Sequence, residues 1–169
     1  MKTPDFRQNQ QQKLVSSILR SMHKKIFVLI VVDQITKLIF NRRDFFIGLV
    51  HFHLVRNFGL GFSLNFGLLP NLIIISAALL FFVYYYFSHR AELSWLGKIV
   101  FVLIFAGATS NIIDRLYLGY VRDFIDLGLG FTFNLADAMI VVGLILILFI
   151  QHHDGAGFTQ SKPKDIIDT

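Results

Sequence analysis

Between two long apolar runs, residues 110–137 read SNIIDRLYLGYVRDFIDLGLGFTFNLAD, a stretch with four aspartates, two arginines and two asparagines. An ionisable side chain at the centre of a membrane helix costs roughly 2.5–3.5 kcal/mol on insertion scales, so charges kept beside such runs mark function by default. The groups on offer are carboxylates, amides and guanidinium. The chain has no cysteine, and no serine–histidine–acid order is apparent in it. Two aspartates held close in a poorly hydrated site cannot both ionise, so one keeps its proton. One carboxylate of such a pair can activate water while the other protonates the leaving group. Asparagine and arginine donors can hold the substrate backbone and steady the developing oxyanion. The stretch points to a membrane-embedded hydrolase.

Four aspartates compete for the two roles. Asp137 lies one turn inside a helix pattern beside Asn134, and Asp123 precedes Phe124 and Ile125, which can shelter it from water. Asp114 is followed at once by Arg115, and a cation there favours plain ionisation. Asp126 borders a glycine-rich, solvated segment. These contexts favour Asp123 with Asp137 by a small margin, and Arg122, next to Asp123, would lower that carboxyl's pKa or point to lipid headgroups.

The elements that must position these groups are membrane helices. Of the 169 residues 54% are hydrophobic and 16% charged, with 19 phenylalanines. A soluble domain carries about a quarter charged residues. The net charge of +5 sits in flanks of apolar runs rather than in one stripe, which fits anionic lipid and topology setting and not nucleic acid. Without cysteine there is neither a disulfide nor thiolate chemistry.

Four spans are expected, at about 25–40, 70–88, 95–111 and 131–150. Residues 1–24 form a basic, amphipathic segment with Leu14, Val15, Ile18, Leu19 and Met22 at helical spacing, merging into the first span. A cleavable signal peptide is excluded by Asp33 and Lys37 in the apolar segment and by the lack of a small-residue cleavage site. Asp33 and Lys37, four apart, share a helix face and pair as a buried structural couple. In 41–69, HFHLV at 51–55 alternates as a half-buried strand, and NFGLGFSLNFG at 57–67 follows, where glycines such as Gly59 let backbone approach a ligand closely. A small β-structured surface element is expected there. His51 and His53 lack a third ligand at sensible spacing, so no metal site is expected.

The second span is lipid-like, and Tyr84, Tyr85 and Tyr86 suit an interfacial belt. The third carries AGATS at 106–110, small residues that let helices pack backbone to backbone. The expected domain layout is a cytoplasmic segment at 1–24, a four-helix transmembrane peptidase domain at 25–151 and a disordered cytoplasmic tail at 152–169. With four spans both termini share a side, and the Lys/Arg count of ten on that side against five on the other makes it cytoplasmic. The acids and the glycine loop then collect at the outer face.

DQITK at 33–37, NFGLGFS at 57–63, SNIIDR at 110–115, VRDFID at 121–126 and FNLADAMIVVG at 133–143 resemble, in order and spacing, the blocks of the lipoprotein signal peptidase (signal peptidase II) family. The resemblance implies an all-α membrane fold of four transmembrane helices with a small periplasmic β-structured element between the first and second. It implies an aspartic endopeptidase of the bacterial inner membrane, without metal or cofactor. Such an enzyme cuts diacylglyceryl-modified prolipoproteins just before the lipidated cysteine, with membrane lipids around it, no nucleic acid, and a monomeric state. The implied catalytic dyad is Asp123 and Asp137. The implied substrate contacts are Asn57, Gly59, Asn111, Arg115, Asn134 and Ala136, with Asp33, Lys37 and Asp114 in support. Leu60 and Gly61 stand where the family usually has alanines, AGATSN where it tends to have GGALGN, and Arg122 where a small aliphatic residue is common.

Two other readings use the same acids. A proton or ion relay needs polar residues through the whole bilayer, which the second span and the inner halves of the third and fourth lack. An inactive, precursor-binding relative would not need both acids.

Overall fold

The computed structural model describes residues 6–60, 64–89 and 93–153. Among them the chain forms helix α1 (Phe6–Phe40), strands β1 (Asp44–Ile47) and β2 (Val50–Asn57), helices α2 (Leu68–His89) and α3 (Trp95–Leu118), strands β3 (Val121–Asp126) and β4 (Thr132–Phe133), and helix α4 (Leu135–His153). The tail beyond 153 lies outside the described residues.

Polarity runs inside out. Residues with no or almost no exposure include Asp33, Lys37, Asn71, Ser110, Asp114, Asp123 and Asn134, while Phe27, Leu38, Ile73, Leu80, Phe81 and Leu148 stand more than half exposed. Water punishes that arrangement; a hydrocarbon solvent favours it, because polar groups then find partners only within the protein. Two helices, α2 and α3, are long and apolar enough to cross a membrane, and 135–150 of α4 is a shorter apolar helix. In α2 only 6% of the apolar window is buried, against 50% in α3, so α3 is the central helix and α2 a peripheral one.

α3 starts at Ser94, whose side chain accepts from the Gly97 amide (3.1 Å), and closes at Gly119, whose amide returns to the Arg115 carbonyl (3.0 Å). The expected backbone-to-backbone packing is present: a Cβ on Gly107 would lie 2.5 Å from the Ala136 carbonyl oxygen and 2.9 Å from the Ile140 side chain. Any larger residue there pushes α4 off α3. At the other end Tyr86 is 4% exposed, stacked on Phe101 (3.7 Å between centroids), with its hydroxyl 3.2 Å from Met22 Sδ. The interfacial belt expected of the tyrosine triplet is therefore corrected at Tyr86, which α1 and α3 bury; Tyr84 is the exposed one. α1 is continuous through 24 and 25, so residues expected to form two segments lie in one helix.

The strands make one antiparallel sheet in the order β1-β2-β3-β4, with the expected strand at 51–55 inside β2. β2 pairs with β3 through His51↔Asp126, Phe52↔Ile125 and Val55↔Asp123, with an irregularity between Phe52 and Val55. Phe40, at the end of α1, stacks on Phe45, Phe52 and Phe124 at 6.1, 5.1 and 4.7 Å and seats the sheet on the helices. β3 thereby runs between the end of α3 and the start of α4.

Candidate functional site

α4 begins with a reciprocal cap. The Asn134 side-chain oxygen accepts from the Asp137 amide (2.9 Å), and the Asp137 carboxylate accepts from the Asn134 amide (3.2 Å). This is the capping-box arrangement, and it satisfies two of the amides that a helix start leaves open. It also fixes Asp137 in the first turn. The Asn111 side-chain amide, from α3, donates to the other Asp137 oxygen (2.7 Å).

Asp123 enters from β3 and is 1% exposed. Its two oxygens accept from the Asn57 amide on β2 (2.9 Å) and the Asn134 amide (2.6 Å). Asn134 thus touches both aspartates, and its amide also reaches Asn111 Oδ1 (3.3 Å). Burial, and then the negative charge of Asp137, push the Asp123 carboxyl up to about 7, against the opposing pull of Asn57, Asn134 and Lys37. Arg122, read from sequence as either lowering this carboxyl or pointing to lipid headgroups, does neither. Arg122 turns to Asp114, with Nη2 at 2.7 Å, Nε at 3.2 Å and its backbone amide at 3.0 Å, and Nη2 also donates to Gln34 (2.8 Å). Alternation along β3 explains this correction, since neighbouring strand residues project to opposite faces.

Asp33 and Lys37 form the expected buried pair (2.8 Å, both 0% exposed). They also tie three helices. Asp33 accepts from Ser110 Oγ on α3 (2.6 Å) and from the Ala136 amide at the start of α4 (2.8 Å), where an anion meets the positive helix end. Lys37 donates to Asn111 (2.9 Å) and lies 3.4 Å from Asp114. Arg115 is 5% exposed, donates to the Asn111 and Gly59 carbonyls, and keeps a buried Nε with no hydrogen-bond partner. Gly59 is bound to its shape: a Cβ there would lie 2.7 Å from the Leu64 carbonyl oxygen.

The structure therefore gathers Asp123, Asp137, Asn57, Gly59, Asn111, Arg115, Asn134, Ala136, Asp33, Lys37 and Asp114 into one interior. Four of these are carboxylates (Asp33, Asp114, Asp123 and Asp137), facing three cations (Lys37, Arg115 and Arg122). One retained proton balances them, and neither Asp123 nor Asp137 forms an ion pair among the described residues. Two contributors escape a reading of residue types. Gln34 donates to Ser110 and to Asp114 (3.0 Å), and buried Asn71 holds the loop after β2 through the Phe58 carbonyl (2.9 Å), Asn65 and the Phe66 amide. Gln34 sits one helical position from Asp33, and that adjacency is the only sequence signal for it.

Fold and interior together define a helical membrane protein with an acid-rich polar centre. The profile described as "Signal peptidase (SPase) II" matches residues 25–152. A lipoprotein signal peptidase of Staphylococcus aureus (strain bovine RF122 / ET3-1) is 33% identical over 163 residues, covering 85% of this chain and all of that one. One from Dehalococcoides mccartyi (strain ATCC BAA-2100 / JCM 16839 / KCTC 5957 / BAV1) is 37% identical over 123 residues, covering 69% and 75%. A third, from Syntrophomonas wolfei subsp. wolfei (strain DSM 2245B / Goettingen), is 43% identical over 93 residues, covering 53% of this chain and 62% of that protein. A solved bacterial membrane enzyme, determined by the in meso method at 2.3 Å resolution, superposes with a TM-score of 0.72 at 29% identity, covering 85% of this chain and 94% of its own. The chain belongs to the signal peptidase II family, whose members are peptidases that remove signal peptides from prolipoproteins.

Proposed function

We propose that the chain cleaves diacylglyceryl-modified prolipoproteins just before the lipidated cysteine, with Asp123 and Asp137 as an aspartic dyad. One observation carries the assignment: among the described residues these two carboxylates, bridged by Asn134, are held by neutral amides alone, beside acids that have cations. Sharing one proton, the ionised carboxylate takes a proton from water as its oxygen attacks the scissile carbonyl. The protonated one gives its proton to the carbonyl oxygen, and collapse of the tetrahedral centre passes a proton to the leaving amine. Arg115, with its unused buried Nε, and Asn57 supply donors for the peptide and the oxyanion. Gly59, Asn111, Asn134 and Ala136 shape the floor. Asp33, Lys37 and Asp114 hold that floor in register and need no cofactor.

The inside-out polarity and the apolar helices support four spans, with α1 and α4 joining α2 and α3. The excess of Lys/Arg toward the termini supports a bacterial inner-membrane protein with cytoplasmic termini and a periplasmic dyad. The protein works as a monomer surrounded by lipid, and the signal helix and acyl chains of the substrate lie against the exposed apolar faces of the helices. Purified protein in detergent with a lipidated precursor tests the proposal: Asp123→Asn and Asp137→Asn each abolish cleavage. Normal turnover in either variant overturns it.

A further inference from the structure

The sheet carries a second cluster of chemistry-bearing residues, apart from the dyad. His51 and His53 are two apart on β2 and share a face. His51 pairs across with Asp126 on β3, and His53 with Asp44 on β1. Residues directly opposite on antiparallel strands also share a face, so two imidazoles are flanked by a carboxylate on each side. Three residues from Asp126, Asp123 projects to the opposite side of β3.

One ligand atom from each of His51, His53 and Asp126 lies within 4.8 Å of the others. A tetrahedral ion with bonds of about 2.1 Å holds its donors about 3.4 Å apart, so side-chain shifts of about 1 Å close the set. His53 Nδ1 is buried without a hydrogen-bond partner, an arrangement that a bound cation relieves. His51 Nε2 is held by Asp44 Oδ1 at 2.7 Å, the carboxylate–imidazole contact that orients a ligating ring and fixes its tautomer. Phe46 stacks on His51 at 4.0 Å, and the two imidazoles lie 4.1 Å apart. The third ligand is invisible as sequence spacing, since it comes from β3, beyond two intervening helices.

The geometry points to a divalent transition-metal site of the Zn(II) class formed by His51, His53 and Asp126, with Asp44 orienting His51. Two imidazoles and a carboxylate suit Zn(II), Cu(II), Ni(II) or Co(II), whereas Mg(II) and Ca(II) prefer all-oxygen sets. The ion ties β2 to β3, the strand that also carries Asp123. It takes no part in peptide hydrolysis, and it stabilises the folded chain by mass action.

The test uses the full chain in detergent, free of any polyhistidine tag, titrated with ZnCl2 and separately with CuCl2. The expected result is one saturable ion per chain and a Cu(II) electron paramagnetic resonance spectrum with nitrogen hyperfine structure. His53→Gln and Asp126→Asn should each weaken binding at least ten-fold, and Asp44→Asn about ten-fold. All three variants should keep the metal-free melting temperature and precursor cleavage, which separates lost ligands from lost fold. Absence of saturable binding, or an affinity unmoved by His53→Gln and Asp126→Asn, overturns the site. Protein that binds Zn(II) in this pattern yet cleaves no precursor rejects the peptidase proposal and upholds the metal site.

Discussion

Two pairs of acids occupy one interior and are treated in opposite ways. Asp33 and Asp114 are matched by cations: Lys37 lies 2.8 Å from Asp33, and Arg122 lies 2.7 Å from Asp114. Among the described residues Asp123 and Asp137 receive only amides, from Asn57, Asn111 and Asn134. A carboxylate with a buried cation is fixed as an anion, and its worth lies in holding α1, α3 and α4 together. A carboxylate with neutral donors keeps its choice of protonation state, which is what proton transfer requires. Substitutions should therefore separate: removing an acid of the first kind harms the fold, and removing one of the second harms turnover.

The largest expected effect is on turnover. Asp123→Asn and Asp137→Asn each lower precursor cleavage by roughly 10^3-fold or more, because proton transfer and water activation both fail. Asparagine is isosteric and uncharged, so thermal unfolding in detergent should occur at the wild-type temperature or above it. A melting temperature that falls in both variants would break the comparison, since the dyad would then be structural as well.

Next comes the matched pair. Asp33→Ala takes from buried Lys37 its nearest carboxylate and leaves it Asp114 at 3.4 Å, and removing one partner of such a pair costs about 3–5 kcal/mol. Chemical unfolding in detergent should report that loss, and Asp33→Leu combined with Lys37→Met should regain much of it. Equal losses in the single and double variants would mean that hydrogen bonds to Ser110 and Ala136, rather than charge, carry the stabilisation.

The matched pair was legible in sequence and the unmatched one only partly. Asp33 and Lys37 stand four apart in a single apolar run, so helical periodicity alone predicts their contact. The inside-out composition likewise announces membrane helices, and the alternation at 51–55 announces β2. Asp123 and Asp137 lie on different elements, and nothing in spacing says that Asn134 bridges them; the block resemblance supplied the pair. The cap is a finding of the structure: the fourth span is expected from about 131, whereas the helix opens at Leu135, behind Asn134. The partner of Arg122 is in neither of the two places that the sequence suggests, for a reason that strands make general. Its sequence neighbour Asp123 lies across the pleat, whereas Asp114, eight residues back on α3, lies within 2.7 Å.

Arg122 supplies the third test. Arg122→Leu removes two side-chain hydrogen bonds to Asp114 and one to Gln34, while Lys37 at 3.4 Å and the Gln34 amide at 3.0 Å remain on Asp114. A loss of about 1–3 kcal/mol in stability is expected, as for a buried acceptor left short of donors. Because Arg122 serves Asp114, the pH at which cleavage falls off should stay where it is in wild type. A shifted alkaline limb would place its charge on the dyad after all.

The smallest effect is the pH dependence of stability itself, and it discriminates between the two kinds of acid. Asp123 is raised to about 7 from an ordinary value of 3.8, first by burial and then by the charge of Asp137. Between those values the folded chain binds more protons than the unfolded one, so this group's contribution to stability falls as pH rises through about 4 to 7 and is level above. A carboxylate held low by a cation contributes the reverse slope. In the melting temperature against pH, Asp123→Asn should remove a downward component across that window, and wild-type cleavage should decline above pH of about 7 as the dyad gives up its shared proton. If the wild-type and Asp123→Asn curves run parallel, burial does not hold that proton, and the distinction between the two pairs of acids fails at its physical root.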